Sequence, residues 1–354
     1  MTSLRESLIG MRPEAAVEFE RAPIAWATPS GLPYTRWVSF GMPKLGEYQY
    51  LLDIVFFLYP DKASAQAGKN AGGTGFFVSI PSGTYPLQYH HLYAVTNWHV
   101  AVDGSPVIRV NSKSGPPEIF EFEPHEWSFK PNFHDIAVIP VNLVANKHRA
   151  EAITASSFLL TDHEIKELEI NAAEDVFMLG RFLDYDGVEE NCPSMRFGNI
   201  SMMAAKVRQP NGFSGSSLVV DMHSRTGFSG SPVFVYRTAG SLFSKPTVIM
   251  SGGHFMKLLG ILWGQFPEEW DLRDKKKKQS AQPPVLDGKS VKGWSGMSLV
   301  SPASAIQEVL DLPHLKKQRD DLDVRLHTAF GNAPVGQSAE NEAAQLRVQQ
   351  PPRR

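Results

Sequence analysis

The feature that most constrains this chain is a succession of short apolar runs separated by turn-forming residues. From Gly75 they are Phe76–Ile80, Leu92–Thr96, Val107–Val110, Ile119–Phe122, Ile136–Val141, Val176–Leu179, Leu218–Asp221, Val233–Tyr236, Thr247–Met250 and Leu258–Trp263, most of them bounded by Gly, Pro, Asn or Asp. Such punctuation is how an all-β sandwich or barrel reads in a sequence. Leu51–Leu58, apolar and aromatic, is expected to be the first core strand, and the polar, glycine-rich Lys62–Gly73 a loop. Only two stretches read as helix: the charged Asp162–Ile170, and Pro302–Leu312 with Ser301 as cap and Pro313 as stop.

Composition sets the outer limits. The 354 residues suffice for one large domain or two modest ones, and 42% apolar against 20% charged residues implies a substantial core. With 35 basic and 37 acidic side chains, nothing suggests a nucleic-acid surface or the steering of a highly charged substrate. Cys192 is the one cysteine, so no intrachain disulfide can form. Met1–Glu20 has no apolar stretch and is interrupted by Arg5, Glu6, Arg12 and Glu14, unlike a secretory signal. No run approaches the roughly 18 apolar residues of a membrane span. A soluble, cytoplasmic protein with neither membrane nor nucleic-acid partner is expected. The sequence divides into a Pro- and Arg-rich leader (1–45), a folded domain (46–315) split near 150–170, and residues 316–354, expected to be a short helix at most and then a disordered tail.

The chemistry concentrates in three places. Gly227-Phe228-Ser229-Gly230-Ser231-Pro232 puts a serine between glycines in a tight turn, ahead of the β-prone Val233–Tyr236. A serine hydroxyl becomes a nucleophile only when a base takes its proton and fixed donors hold the oxyanion that follows. His99, in Val95-Thr96-Asn97-Trp98-His99-Val100, follows an apolar run, and Asp135 opens Ile136-Ala137-Val138. Acyl transfer asks for that set: a base on the serine, a carboxylate that fixes the base's tautomer, and two backbone N–H groups on the oxyanion. Gly227 N and Ser229 N are the expected donors. A near-copy, Gly212-Phe213-Ser214-Gly215-Ser216-Ser217, makes Ser214 a rival nucleophile, but no Pro-bounded apolar strand follows it. Neither copy supplies the second glycine of Gly-x-Ser-x-Gly, which excludes an α/β-hydrolase elbow.

These segments, in the order histidine, aspartate, serine, resemble the trypsin/chymotrypsin-fold serine peptidases of the disulfide-poor kind found in bacteria and organelles. Thr96-Asn97-Trp98-His99 is similar to that family's histidine motif, His134-Asp135-Ile136-Ala137-Val138 to its aspartate motif, and Gly227–Pro232 to its serine motif. Gly73-Thr74-Gly75-Phe76-Phe77-Val78 is similar to the glycine-bearing strand ahead of the histidine. Gly260-Ile261-Leu262-Trp263-Gly264 resembles the strand that pairs with substrate backbone, and Gly296-Met297-Ser298-Leu299-Val300 the last barrel strand before a terminal helix. The resemblance spans about residues 50–315. It implies two six-stranded antiparallel β-barrels with a C-terminal helix, the active site between them, and a serine endopeptidase acting on a protein or peptide through His99, Asp135 and Ser229. The other readings are a silent or latent peptide-binding pseudoprotease, and a self-processing protease with one dedicated partner.

Departures from the family carry meaning. Phe228 stands where many animal relatives have an aspartate that pairs with a newly cut N-terminus, so that route of activation is not expected here. His223, six residues before the serine, occupies the base of the primary pocket in trypsin-like relatives, where an aspartate would select Arg or Lys. With Leu262, Trp263, Gly264 and Met297 it completes the candidate substrate-binding set, and the expected preference is a small or medium apolar side chain. The lysines 275–278 lie in an apparent insertion, Gln265–Lys292, that could cover the pocket. His90-His91 has no Cys or carboxylate at ligand spacing, so neither a metal nor any other cofactor is expected.

Overall fold

The computed structural model describes residues 48–181, 187–222, 224, 227–238, 254–272 and 289–331, all within one compact unit, Tyr34–Arg354. The expected strand Thr247–Met250, the leader, His223, the lysine run and residues 332–354 lie outside the described residues. Helix α1 (Tyr48–Asp53) leads into β1 (Val55–Tyr59), α2 (Lys62–Ala67), β2 (Gly73–Pro81), β3 (His90–Thr96), α3 (Trp98–Ala101), β4 (Val107–Val110), β5 (Glu118–Phe120), β6 (Ala137–Pro140) and β7 (Ile153–Thr154). Two short helices, α4 (Ala155–Phe158) and α5 (Asp162–Glu167), connect to β8 (Asp175–Arg181), β9 (Pro193–Arg208), β10 (Ser214–Asp221), β11 (Pro232–Thr238), β12 (His254–Asp271) and β13 (Ser290–Pro302). Helices α6 (Ala303–Leu310) and α7 (Pro313–Gly331) follow.

The second half closes into a six-stranded barrel, β10-β13-β12-β11-β8-β9, and the first half is a sheet in the order β5-β4-β1-β2-β3-β6 with β7 beside β2. The expected all-β, two-part architecture with C-terminal helices is therefore present, with the same strand order in both halves. They differ in closure. β5 is only three residues long, the chain then turns through a 3-10 segment at Pro124–Glu126, and a single antiparallel bridge, Ser128 with Val138, joins it to β6.

The continuous apolar runs reflect strands covered on both faces. All five residues of β1 are buried; Phe56 and Leu58 enter one core cluster, while Val55, Phe57 and Tyr59 enter a second. That second cluster continues into the barrel through Val176, Met178, Val220, Leu259 and Val300.

Several local expectations need correction. Leu51–Leu58 begins as helix, and strand starts only at Val55. The expected loop Lys62–Gly73 contains α2, capped by Asp61, whose carboxylate accepts from Ser64 N at 2.7 Å, and stopped by left-handed Gly68. Ser301 is not a helix cap: it lies within β13, and Pro302, the last residue of that strand, occupies the N-cap position of α6. Gln265–Asp271 and Ser290–Lys292 are not loop but paired strand, with Trp270 opposite Val291, so this stretch is a hairpin arm of β12 and β13. The stretch from Lys316 is not a short helix and tail alone. α7 runs nineteen residues and is held on the first sheet by Asp323, which accepts from Ser82 Oγ (2.7 Å), Gly83 N (2.8 Å) and the His91 ring (3.0 Å). No helix among the described residues is long and apolar enough to cross a membrane.

Candidate active site

β3 delivers His99. The strand ends at Thr96, Asn97 remains extended, and the single turn α3 swings the ring off the sheet edge. β6 begins just after Asp135, whose backbone is pinched by a turn in which Ile136 N donates to His134 O at 2.7 Å. The two residues meet through two hydrogen bonds. His99 N donates to Asp135 Oδ1 at 2.9 Å, and His99 Nδ1 lies 2.5 Å from Asp135 Oδ2. With Nδ1 held by the carboxylate, Nε2 is the ring atom left to take a proton. The Asp135 side chain is fully buried while that of His99 is 23% exposed, so the pair presents one ring edge outward.

The main chain at Asp135 is fastened as well. Asn97 Nδ2 donates to its carbonyl at 2.8 Å, and its N–H donates to Gln209 Oε1 at 2.6 Å. Gln209 stands at the tip of the β9–β10 hairpin, which belongs to the other half of the molecule.

Ser229 occupies a turn fixed from below. Ser231 N donates to Phe228 O, Gly230 N to Leu262 O at 2.8 Å, and Thr74 N to Ser229 O at 2.8 Å. Thr74 Oγ1 donates to Gly227 O at 2.7 Å and accepts from Arg181 N, and Thr74 O accepts from Thr96 Oγ1 at 2.7 Å. A single buried threonine at the start of β2 thus ties the serine turn to the strand that carries His99. Gly227 and Gly230 have φ of +94° and +87°. At Gly230 a Cβ would also stand 1.8 Å from Thr74 O, so only glycine fits. Phe228 is wholly buried in the barrel core, where it anchors the turn. The N–H groups of Gly227 and Ser229 have no acceptor among the described residues.

The rival Ser214 opens β10. It is exposed on β10, opposite Arg208, with neither histidine nor carboxylate on it among the described residues. Of the candidate pocket residues, Trp263 donates Nε1–H to Ser217 Oγ at 3.1 Å and packs with Val219 and Leu299, and Met297 rests on that cluster. A Cβ at Gly264 would meet only Leu299 Cδ1, at 3.8 Å. The Leu262 side chain is buried in the main core, and its carbonyl accepts from Gly230 N. β12 pairs with β11 only as far as Ile261, and beyond it, among the described residues, only β13 flanks Trp263 and Gly264.

His90 and His91 are sheet residues. His90 touches Ser79 Oγ and Pro86 O, His91 touches Asp323, and burial lowers the pKa of both. No group of three or more His, Cys, Asp or Glu that could hold a metal occurs among the described residues. Sequence reasoning missed Thr74 and Gln209 as site-building residues. Thr74 carried a faint signal, lying between Gly73 and Gly75 in the strand ahead of the histidine, whereas nothing local marks Gln209.

No family model matches the chain, and no curated protein matches it. Among solved structures it is similar to the apo MamO protease domain of Magnetospirillum magneticum, at 15% identity and TM-score 0.42, covering 74% of this chain and 97% of that one. It is similar to the Rv3671c protease in its inactive form, at 14% identity and TM-score 0.39, covering 77% and 98%. It is also similar to the HtrA-type protease AlgW with a decapeptide, at 16% identity and TM-score 0.36, covering 68% of this chain and 51% of that one. None of these assigns a residue its role.

Proposed function

We propose that the chain is a serine endopeptidase in which Ser229 is the nucleophile, His99 the general base and Asp135 the group that orients the base. The observation that carries this reading is the double grip of Asp135 on His99, with the serine turn fastened through Thr74 to the same strand. His99 Nε2 takes the Ser229 hydroxyl proton as Oγ attacks the peptide carbonyl, and the imidazolium is stabilised by the buried carboxylate. The amides of Gly227 and Ser229 receive the oxyanion. The proton then passes from His99 to the leaving amine, and water releases the acyl group by the reverse sequence. The edge of β12 at Trp263 and Gly264 that no described strand covers offers backbone groups to which a substrate can add as a strand.

A latent form is favoured by one observation: among the described residues Ser229 Oγ makes no hydrogen bond, and the His99 ring bonds only to Asp135. Reaction of the purified protein with a fluorophosphonate probe, with the adduct located by mass, tests both readings. The expected adduct is on Ser229, absent in Ser229→Ala and kept in Ser214→Ala, with labelling slowed about 10⁴-fold in Asp135→Asn as the base loses its tautomer. Labelling that survives Ser229→Ala overturns the assignment, and no labelling of the wild type favours the latent form. Intact mass adds the self-processing case, through trimming that Ser229→Ala abolishes.

A further inference from the structure

The hairpin tip that joins β9 to β10 is packed on the segment bearing Asp135. Its contacts are specific: Asp135 N donates to Gln209 Oε1 at 2.6 Å, and Gln209 Nε2 lies 3.0 Å from His134 Nδ1. Asn211 Nδ2 donates to Phe133 O at 2.9 Å, and the Phe213 ring sits 6.0 Å from that of Phe133 and 5.1 Å from that of His134. Gln209 is 2% exposed. The hairpin also braces itself, with Gln209 N donating to Phe213 O and Gly212 N to Gln209 O.

The orientation of the amide follows from its partners. An Asp135 N–H can only donate, so the atom it meets is Oε1 and Nε2 faces His134. The ring nitrogen facing Nε2 is therefore an acceptor, which makes His134 a neutral, passive member of the chain. We infer that Gln209 is a positioning residue for the proposed triad, a clamp from the second half that sets the backbone of Asp135 and through it the angle at which the carboxylate meets His99. Asn97 holds the carbonyl of the same residue from the first half. With both backbone polar groups of Asp135 taken by side chains, its carboxylate has no main-chain freedom left and meets both His99 donors together. Small errors of placement at a base of this kind cost large factors in rate.

This inference rests on the proposed peptidase reading, and its test separates the two. Gln209→Ala and the volume-preserving Gln209→Met both remove the clamp, so loss of folding in one still leaves the other. Gln209→Glu retains an oxygen for Asp135 N. The fluorophosphonate labelling rate is expected to fall about ten- to a hundredfold in Gln209→Ala and Gln209→Met and to recover in part in Gln209→Glu, with Lys206→Ala on the exposed face of β9 unchanged. Proton NMR of the low-field His99 Nδ1–H signal gives a readout independent of turnover. That signal is expected in the wild type and shifted or broadened in both clamp-free variants, which a purely structural role for Gln209 would not produce. An unlabelled wild type whose His99 signal still responds to Gln209→Met rejects the peptidase reading and keeps the clamp. A labelled wild type, with rate and signal both unchanged in a folded Gln209→Met, overturns the clamp.

Discussion

The two halves repeat one strand order and use it differently. The second closes on itself, each strand paired to two neighbours although with several bulges, so its serine turn stands on a closed, hydrogen-bonded wall. The first is joined across its last gap by the one bridge at Ser128, and that segment is held from outside: Ser128 Oγ lies 2.8 Å from His314 and Lys130 pairs with Glu308. The half carrying Ser229 is thus stable by closure, whereas the half carrying His99 and Asp135 leans on α6, α7 and the β9–β10 hairpin. Loosening the first half is therefore expected to displace His99 and Asp135 while the Ser229 turn stays in place.

The largest effect that would break the comparison lies in the closed barrel. Arg237 and Glu174 form an ion pair there with both side chains almost wholly buried, reinforced by a bond from Arg237 to Leu168 O. Removing one partner leaves the other charged and buried, so Glu174→Ala is expected to cost about 3–5 kcal/mol in urea unfolding. A cost near zero would mean that the barrel does not depend on its own interior pairing. Next comes Asp323→Ala, which frees Ser82, Gly83 and His91 from α7 and is expected to cost about 2–3 kcal/mol. Hydrogen exchange should then rise in β3 and β6 while the barrel amides stay protected. Equal loosening of both halves would contradict their separate support.

The smallest effect is acid sensitivity. Burial lowers the pKa of His90, His91 and His134, all in the first half, below the ordinary value of 6.5. Unfolded, these rings take up protons near that value, so their contribution is complete above about pH 6.5 and is lost as pH falls below it. Tm is expected to drift down over that range, with exchange increasing first around β3. A Tm that rises on acidification would refute the assignment.

How much of this was legible depended on what a residue's role was written in. β4, at Val107–Val110, carries its apolar signal within itself, so its bounds could be read directly. The Asp61 and Gly68 caps of α2 were equally local and were overlooked beneath a polar composition. β9 was missed for a deeper reason: after four half-buried residues its burial mostly alternates between half-buried and exposed, and only Ile200 is fully buried in the core, so no continuous apolar run is imposed on it. α7 hid likewise, because Asp323 and Arg319 are charged residues that become anchors only when Ser82, His91 and Tyr93 face them.

The same division holds at the site. The sequence alone determined the all-β class, the order of His99, Asp135 and Ser229, and the need for glycine around the serine, since backbone turns and strand runs are written in neighbouring residues. Only tertiary structure left Ser214 exposed on β10, tied the Ser229 turn to Thr74, placed Leu262 in the core, and brought Gln209 to Asp135. Those outcomes depend on hydrogen bonds between residues as far apart as Thr74 and Gly227, or Asp135 and Gln209, and such pairings exist only once both halves have closed around them.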